Sequence, residues 1–178
     1  KVNIKYNSEV TEVIGEHGNY TLSLKSGDKI NAENVVLGIG LQGNLRKVGV
    51  PGSDWEKVQY QLDDPDEYEA ENIVVIGAGD AAIENAVALS KQNNVYIVNR
   101  RGEFARAKDG NIKLIENAID NGDITCFYNS NPKLVEPGKI VLETADGEAE
   151  VICDRVIARL GAIPPRKFVE SCGIEFPS

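Results

Sequence analysis

Residues 73–82 read Ile-Val-Val-Ile-Gly-Ala-Gly-Asp-Ala-Ala, an apolar run that closes on a G-x-G-x-x-A turn and opens a segment of helical period. Few ten-residue stretches restrict a fold as much, because the pattern asks for a buried strand, a tight turn and a helix in that order. Gly77 permits the turn, Gly79 lets a ligand come up to the backbone, and Ala82 keeps the helix close to the strand. The free N–H groups of such a helix start suit the diphosphate of a dinucleotide, and the positive end of the helix dipole favours it. Gly77, Gly79, Asp80, Ala81 and Ala82 are therefore candidate cofactor-binding residues. Asp80 is the oddity: a carboxylate here competes for the same N–H groups, so it either caps the helix or points away from the phosphates.

The surrounding periodicity fits this unit. Residues 80–91 form a helix with Ile83, Ala86, Val87 and Ser90 on one face, flanked by Ala82 and Leu89. Residues 95–98 and 124–128 read as further strands, with a second helix over 112–119 between them. A β-α-β-α-β order with short links calls for a parallel sheet with helical crossovers. The flanks are different. Residues 2–7, 9–14 and 20–25 alternate as half-buried strands, and 35–37 is an apolar run closing on Gly38-Ile39-Gly40 as a buried strand would. Residues 133–136, 139–144 and 151–153 form hairpins, and 156–160 is a last strand closing on Gly161.

An internal repeat links the two flanks. Residues 22–24, 26–28, 32–34 and 35–37 with Gly40 lie against 141–143, 146–148, 152–154 and 156–158 with Gly161, and each copy runs on to an Arg-Lys pair. The second copy ends a complete β-α-β unit, whereas the first lacks an opening strand, helix and Gly-rich turn. With no Met in 178 residues, the expectation is a cut chain holding the back of one nucleotide-binding domain and a whole second one.

The end of the second strand decides which dinucleotide. Selection of NAD calls for Asp or Glu about 20 residues beyond the first Gly, to bond the ribose 2′-hydroxyl. Here offsets 22 to 24 from Gly77 hold Asn99, Arg100 and Arg101, with Arg106 and Lys108 beyond. Guanidinium groups in that place bind a 2′-phosphate through charge-assisted forks, so NADPH is expected to bind about ten- to a hundredfold more tightly than NADH.

The chain carries 28 Asp and Glu against 19 Lys and Arg, a net charge of −9. A field of that sign repels phosphate backbones and anionic lipid, which argues against nucleic acid and membrane surfaces as partners. At 42 % hydrophobic residues the chain is an ordinary globular sequence. Cys126, Cys153 and Cys172 have neither metal-ligand nor C-x-x-C spacing. That usage predicts no metal, a reducing compartment and a cytoplasmic location. Cys126 reads as core, while Cys153 and Cys172 are open to exposure.

Residues 73–90, with the Arg-Arg-Gly-Glu-Phe stretch after the second strand, resemble the NADPH domain of thioredoxin-reductase-like flavoproteins. Residues 35–40 with Gly43-Asn44-Leu45-Arg46-Lys47 and Gly49-Val50-Pro51-Gly52 resemble the crossing segment of the FAD domain in that superfamily, and 156–161 its counterpart on the NADPH side. The resemblance implies an α/β fold: a Rossmann-like NAD(P)-binding domain of three layers, with parallel sheet and β-meander, inserted in part of a second, FAD-type domain. It implies residues 1–62 as the back of the FAD-type domain, 63–166 as the NAD(P)H domain and 167–178 as a return segment. The implied activity is hydride transfer from NADPH to FAD and on to a disulfide or electron carrier. It implies further that FAD is held by the full-length protein with the missing FAD-domain segments of the same chain, and that the whole protein is a homodimer. Glu84 and Gly161 join the candidate site. The resemblance implies Glu84 near the nicotinamide pocket, with a helix-start carboxylate supported by the dipole as the equal alternative. Gly161 ends the last strand at the usual ligand edge, with a plain turn glycine as the equal alternative.

Three departures from the family pattern stand out. Residues 59–71 hold no C-x-x-C, which favours the ferredoxin–NADP reductases of this fold and bacillithiol-disulfide-reductase-like proteins over thioredoxin reductase proper. Asn99 stands where the family has His, and Arg106 follows Phe104 one residue later than the family's third Arg. No side chain is obliged to act as acid, base or nucleophile, so no catalytic residue is assigned, and the cofactors carry the chemistry. His17, the only His, reads as a hairpin-turn residue. Two competing readings are a stand-alone dinucleotide-binding regulatory module without redox chemistry and a single-domain NADP dehydrogenase.

Overall fold

The computed structural model describes residues 2–40 and 44–174. Its elements run β1 (Val10–Glu16), β2 (Asn19–Leu24), β3 (Lys29–Ala32), β4 (Val58–Gln59), β5 (Asn72–Ile76), α1 (Asp80–Leu89), β6 (Asn94–Val98), α2 (Asp109–Asp120), β7 (Ile124–Phe127), β8 (Asn131–Glu136), β9 (Lys139–Thr144), β10 (Gly147–Ile152), β11 (Arg155–Ala158) and α3 (Arg166–Ser171). The chain forms two compact units, Leu45–Ala162 and Lys1–Asn44 with Ile163–Ser178.

The larger unit is built on β5. Its four apolar residues, Ile73, Val74, Val75 and Ile76, are all buried, because alternate side chains go to opposite faces and both faces are covered. One face takes α1 and α2: Ile73 and Val75 pack with Ala82, Ile83, Ala86, Leu89, Ile97, Ile115 and Ile157. The other takes an antiparallel meander of order β10-β9-β8, where Val74 and Ile76 meet Val135, Ile140, Leu142 and Val151. Each fully buried Ile or Leu contributes about 1.5–3 kcal/mol relative to exposure. The result is the expected three-layer α/β architecture, with an all-parallel sheet of order β4-β11-β5-β6-β7.

Helix α1 buries Ala82, Ile83, Ala86 and Leu89, so its sheet-facing stripe is turned towards Leu89 and away from the expected Val87 and Ser90. Small residues at 82 and 86 let the helix lie close to β5. The helix ends at Leu89, and beyond it the side-chain amide of Asn93 donates to the carbonyls of Leu89 (3.0 Å) and Tyr68 (2.8 Å), while its oxygen accepts the N–H of Glu71 (3.0 Å). At the start of the same sheet Arg155 grips Glu71 with two bonds of 2.9 Å and lies over the ring of Tyr68.

The smaller unit is an antiparallel sheet of order β1-β2-β3, with His17 in the turn between β1 and β2, the irregular segment 33–40, and α3. Its apolar cleft of about 690 Å³ is lined by Val13, Leu22, Val35, Leu37, Pro165 and Phe168 among others.

Several expectations are corrected. Residues 2–7 and 35–37 are not strands, and Val36 is 91 % exposed; an apolar run becomes a strand only where a ladder receives it, and none among the described residues does. The compact units divide at Asn44/Leu45 and Ala162/Ile163; in the larger one β4 pairs with β11, and Val48, Val50 and Trp55 pack under the meander. The return segment contains a helix, α3. Gly43 and residues 175–178 lie outside the described residues. Cys153 is fully buried, held in the meander-side core.

Candidate functional site

The order β11-β5-β6 makes β5 a switch point: α1 leads from it to β6 on one side, and β11 returns to its other side through the meander. Connections leave such a strand in opposite directions and open a crevice outside its carboxyl end, which is where open parallel sheets take ligands. Three backbone bonds tie that edge together. Gly77 donates to Val98 (3.1 Å), Arg159 to Ile76 (2.8 Å) and Asn99 to Phe127 (2.9 Å).

Within the turn the two glycines have different reasons to be there. Gly77 has φ +138°, and a Cβ on it would lie 2.5 Å from the Arg159 carbonyl oxygen and 3.2 Å from the Ala82 Cβ. Only glycine fits. Gly79 caps α1 with φ −93° and ψ 175°, ordinary extended backbone, and a Cβ there would meet nothing within 4 Å. Nothing inside the fold requires its bareness; it leaves backbone open to the outside. No side chain caps α1, so the first-turn N–H groups that helix geometry leaves over have no side-chain acceptor. Ala81 is exposed on this turn, and Ala82 is buried beneath it.

Asp80 settles its own ambiguity. Its Oδ1 accepts the N–H of Lys108 (2.9 Å) and the side-chain amide of Asn111 (2.8 Å), both at the start of α2. It points away from the α1 terminus and does not compete with an anion there. The Lys108 N–H first, and then Asn111, hold its carboxyl below the usual aspartate range. Glu84 is exposed and accepts from Asn111 (2.9 Å); it supports the α1–α2 contact.

The loop after β6 is shaped by Asn99, only 1 % exposed. Its Oδ1 accepts the N–H of Arg101 (3.0 Å) and its amide donates to the Glu103 carbonyl (2.9 Å). Phe104 anchors the far end, buried edge-on against Tyr128. Arg100, Arg101 and Arg106 are exposed on this frame, and none forms an ion pair among the described residues. Unpaired cations beside a helix start, in a chain of net charge −9, steer anions to this edge. Gly161 follows β11, is exposed, and its carbonyl accepts the N–H of Arg46 (3.0 Å).

The organising role of Asn99 has no signal in the sequence beyond its standing in place of a His, and the reach of Asp80 to α2 has no local signature because its partners lie 28 and 31 positions away. Burial pushes the thiols of Cys126 and Cys153 up to about 12 and about 11, so both stay protonated at neutral pH. Among the described residues no group of three or more His, Cys, Asp or Glu is placed to hold a metal. No described helix is long and apolar enough to cross a membrane.

Comparison with known proteins gives a consistent picture. The family described as pyridine nucleotide-disulphide oxidoreductase matches residues 1–177. The chain is 29 % identical over 181 residues to a ferredoxin–NADP reductase of Ignicoccus hospitalis, covering 97 % of this chain and 58 % of that protein. It is 31 % identical over 164 residues to the thioredoxin reductase of Bacillus subtilis, covering 85 % and 50 %. Bacillithiol disulfide reductase Bdr from Staphylococcus aureus superposes with a TM-score of 0.84 at 22 % identity, over 96 % of this chain and 53 % of that one. The chain thus spans about half the length of the curated relatives it matches.

Proposed function

Because the chain belongs to the pyridine nucleotide-disulphide oxidoreductase family, we propose that Leu45–Ala162 is the NADPH-binding unit of a flavoprotein oxidoreductase. The observation that carries the reading is the pairing, at one sheet edge, of the open uncapped turn at Gly79 with the unpaired Arg100, Arg101 and Arg106. Those features fit the two anionic parts of the cofactor: the diphosphate on the N–H groups after Gly77, and the 2′-phosphate on the guanidinium loop. NADPH, when bound, supplies a hydride to FAD, and the electrons pass on to a disulfide or an electron-carrier protein. The residues of this chain bind and orient. Asn99 holds the arginine loop in shape, Asp80 fixes it to α1, and Gly79 admits the diphosphate. No side chain is assigned as acid or base.

Lys1–Asn44 with Ile163–Ser178 is proposed as part of the FAD-type domain. Its described elements include no Gly-rich strand–helix turn, so no FAD contact is assigned to it; the flavin is assigned to the parent protein as a whole, a cytoplasmic homodimer in this reading. The test is a calorimetric titration of the chain with NADPH and with NADH at fixed moderate salt. Tighter NADPH binding that is lost in Arg101→Ala supports the site. Equal binding of both nucleotides returns the arginines to a solvated loop, and binding of neither refutes the reading for this chain.

A further inference from the structure

Strand β11 carries two guanidinium groups of opposite circumstance. Arg155 is fully matched, with two bonds to Glu71 and the ring of Tyr68 beneath it. Arg159, just past the strand's end, donates through Nη1 to the carbonyl of Tyr60 (2.8 Å), but its Nε is buried with no partner. It has no ion pair among the described residues, in a chain with 28 carboxylate side chains. A buried N–H left over in this way is rare in proteins and calls for a reason.

The position of this guanidinium, without a carboxylate partner among the described residues, is the second observation. The N–H of Arg159 bonds Ile76 and its carbonyl oxygen stands 2.5 Å from where a Cβ on Gly77 would be, so the residue lines the Gly-rich turn itself. Alternation places it with Arg155 and Ile157, and Ile157 packs with Ala82, Ile83 and Ala86 of α1. That is the sheet face on which α1 begins. The arginine loop after β6 lies on one side of β5 and Arg159 on the other. A dinucleotide that anchors its 2′-phosphate by β6 and crosses the switch point runs towards β11.

We propose that Arg159 is a further anion-binding residue of the dinucleotide site, taking an oxygen of the phosphate on the nicotinamide side of the diphosphate; this rests on the NADPH reading above. The arginine side chain is held by Tyr60 through Nη1 and, with Nε enclosed, keeps Nη2 for the ligand. Its role differs from that of Arg100 and Arg101, which discriminate the 2′-phosphate, because it acts on any ligand that carries the full diphosphate.

The experiment titrates the 178-residue chain, wild type, Arg159→Gln and Arg159→Lys, with NADPH, with 2′-phospho-ADP-ribose and with 2′,5′-ADP. The last keeps the 2′-phosphate and the adenosine-side phosphate only. Arg159→Gln is expected to weaken NADPH and 2′-phospho-ADP-ribose about tenfold and to leave 2′,5′-ADP unchanged, which also shows that the variant is folded. Arg159→Lys is expected to recover part of the loss. NADPH affinity unchanged in both variants, or all three ligands falling together, overturns the assignment. Wild-type protein that binds no NADPH refutes the dinucleotide reading and this one with it, whereas wild-type binding indifferent to both substitutions refutes Arg159 alone.

Discussion

Substituting the two turn glycines by alanine separates what the fold needs from what a ligand needs. In Gly77→Ala the new methyl lies 2.5 Å from the Arg159 carbonyl oxygen and 3.1 Å from its carbonyl carbon, at φ +138°. The backbone strain amounts to about 1–3 kcal/mol, and forcing β5 and β11 apart at their ends adds about 1–3 kcal/mol. A loss of about 2–6 kcal/mol is a large share of the 5–15 kcal/mol typical of a domain, and lowers the melting temperature by roughly 4–24 °C at this chain length. Gly79→Ala meets nothing within 4 Å at an ordinary φ and ψ, so its stability stays within about 0.5 kcal/mol. In the proposed NADPH site, however, its methyl stands in the lane by which the diphosphate would reach the first-turn N–H groups, and the rise in Tm on adding saturating NADPH should largely disappear. Thermal melts of both variants with and without NADPH read out both effects. A Gly77→Ala protein as stable as wild type refutes the packing argument, and a Gly79→Ala protein with the full NADPH-induced rise refutes the open lane.

Asn99→Ala strips the Arg101 N–H and the Glu103 carbonyl of their partners; urea unfolding should show a loss of about 1–3 kcal/mol, together with a reduced preference for NADPH over NADH. The carboxyl of Asp80 is held below its ordinary range by Lys108 and Asn111, so its ionised form favours the folded state at all pH values above the unfolded pKa of about 3.9. The difference in urea midpoint between wild type and Asp80→Asn should be flat from pH 8 to about pH 5 and shrink as pH falls through the folded pKa; a difference that grows on acidification reverses the sign and refutes the contact. Cys126 and Cys153, with thiols pushed up to about 12 and about 11, should resist iodoacetamide at pH 8 while the protein is folded, and mass spectrometry should find both alkylated once it is unfolded.

The parallel core was legible because each of its elements carries its own period. Residues 73–76, 95–98 and 124–128 are apolar runs too short for helices, and the helices between them are followed by side-chain signals such as Asn93. The sheet-facing stripe of α1 was displaced by one position because the choice between Val87 and Leu89 is made by what the sheet presents, which the helix sequence does not contain. Residues 35–37 misled for a related reason: apolar content announces burial, but a strand also needs an edge to bond. Strands β3 and β4 were missed because Lys29–Ala32 holds one large apolar residue and Val58–Gln59 is only two residues long. In the site, the glycines and arginines were readable as motif. The contacts that set the arginine loop in place depend on partners tens of residues apart, and local patterns carry no trace of them.

The bond from Asp80 to the start of α2 has a consequence for how affinity is assembled. It fastens the base of the arginine loop to the first residue of α1, so the turn and the loop are two anchor points on one rigid frame. A ligand seated at one anchor holds its other phosphate near the second at high local concentration, as the two arms of a chelate do. The two contributions then multiply, with the entropy of association lost only once. Cutting the fastening in Asp80→Ala leaves every phosphate-contacting group present and makes the two anchors independent. A molecule that reaches only one of them, such as 2′,5′-ADP on the loop side, would notice the change far less than the whole dinucleotide.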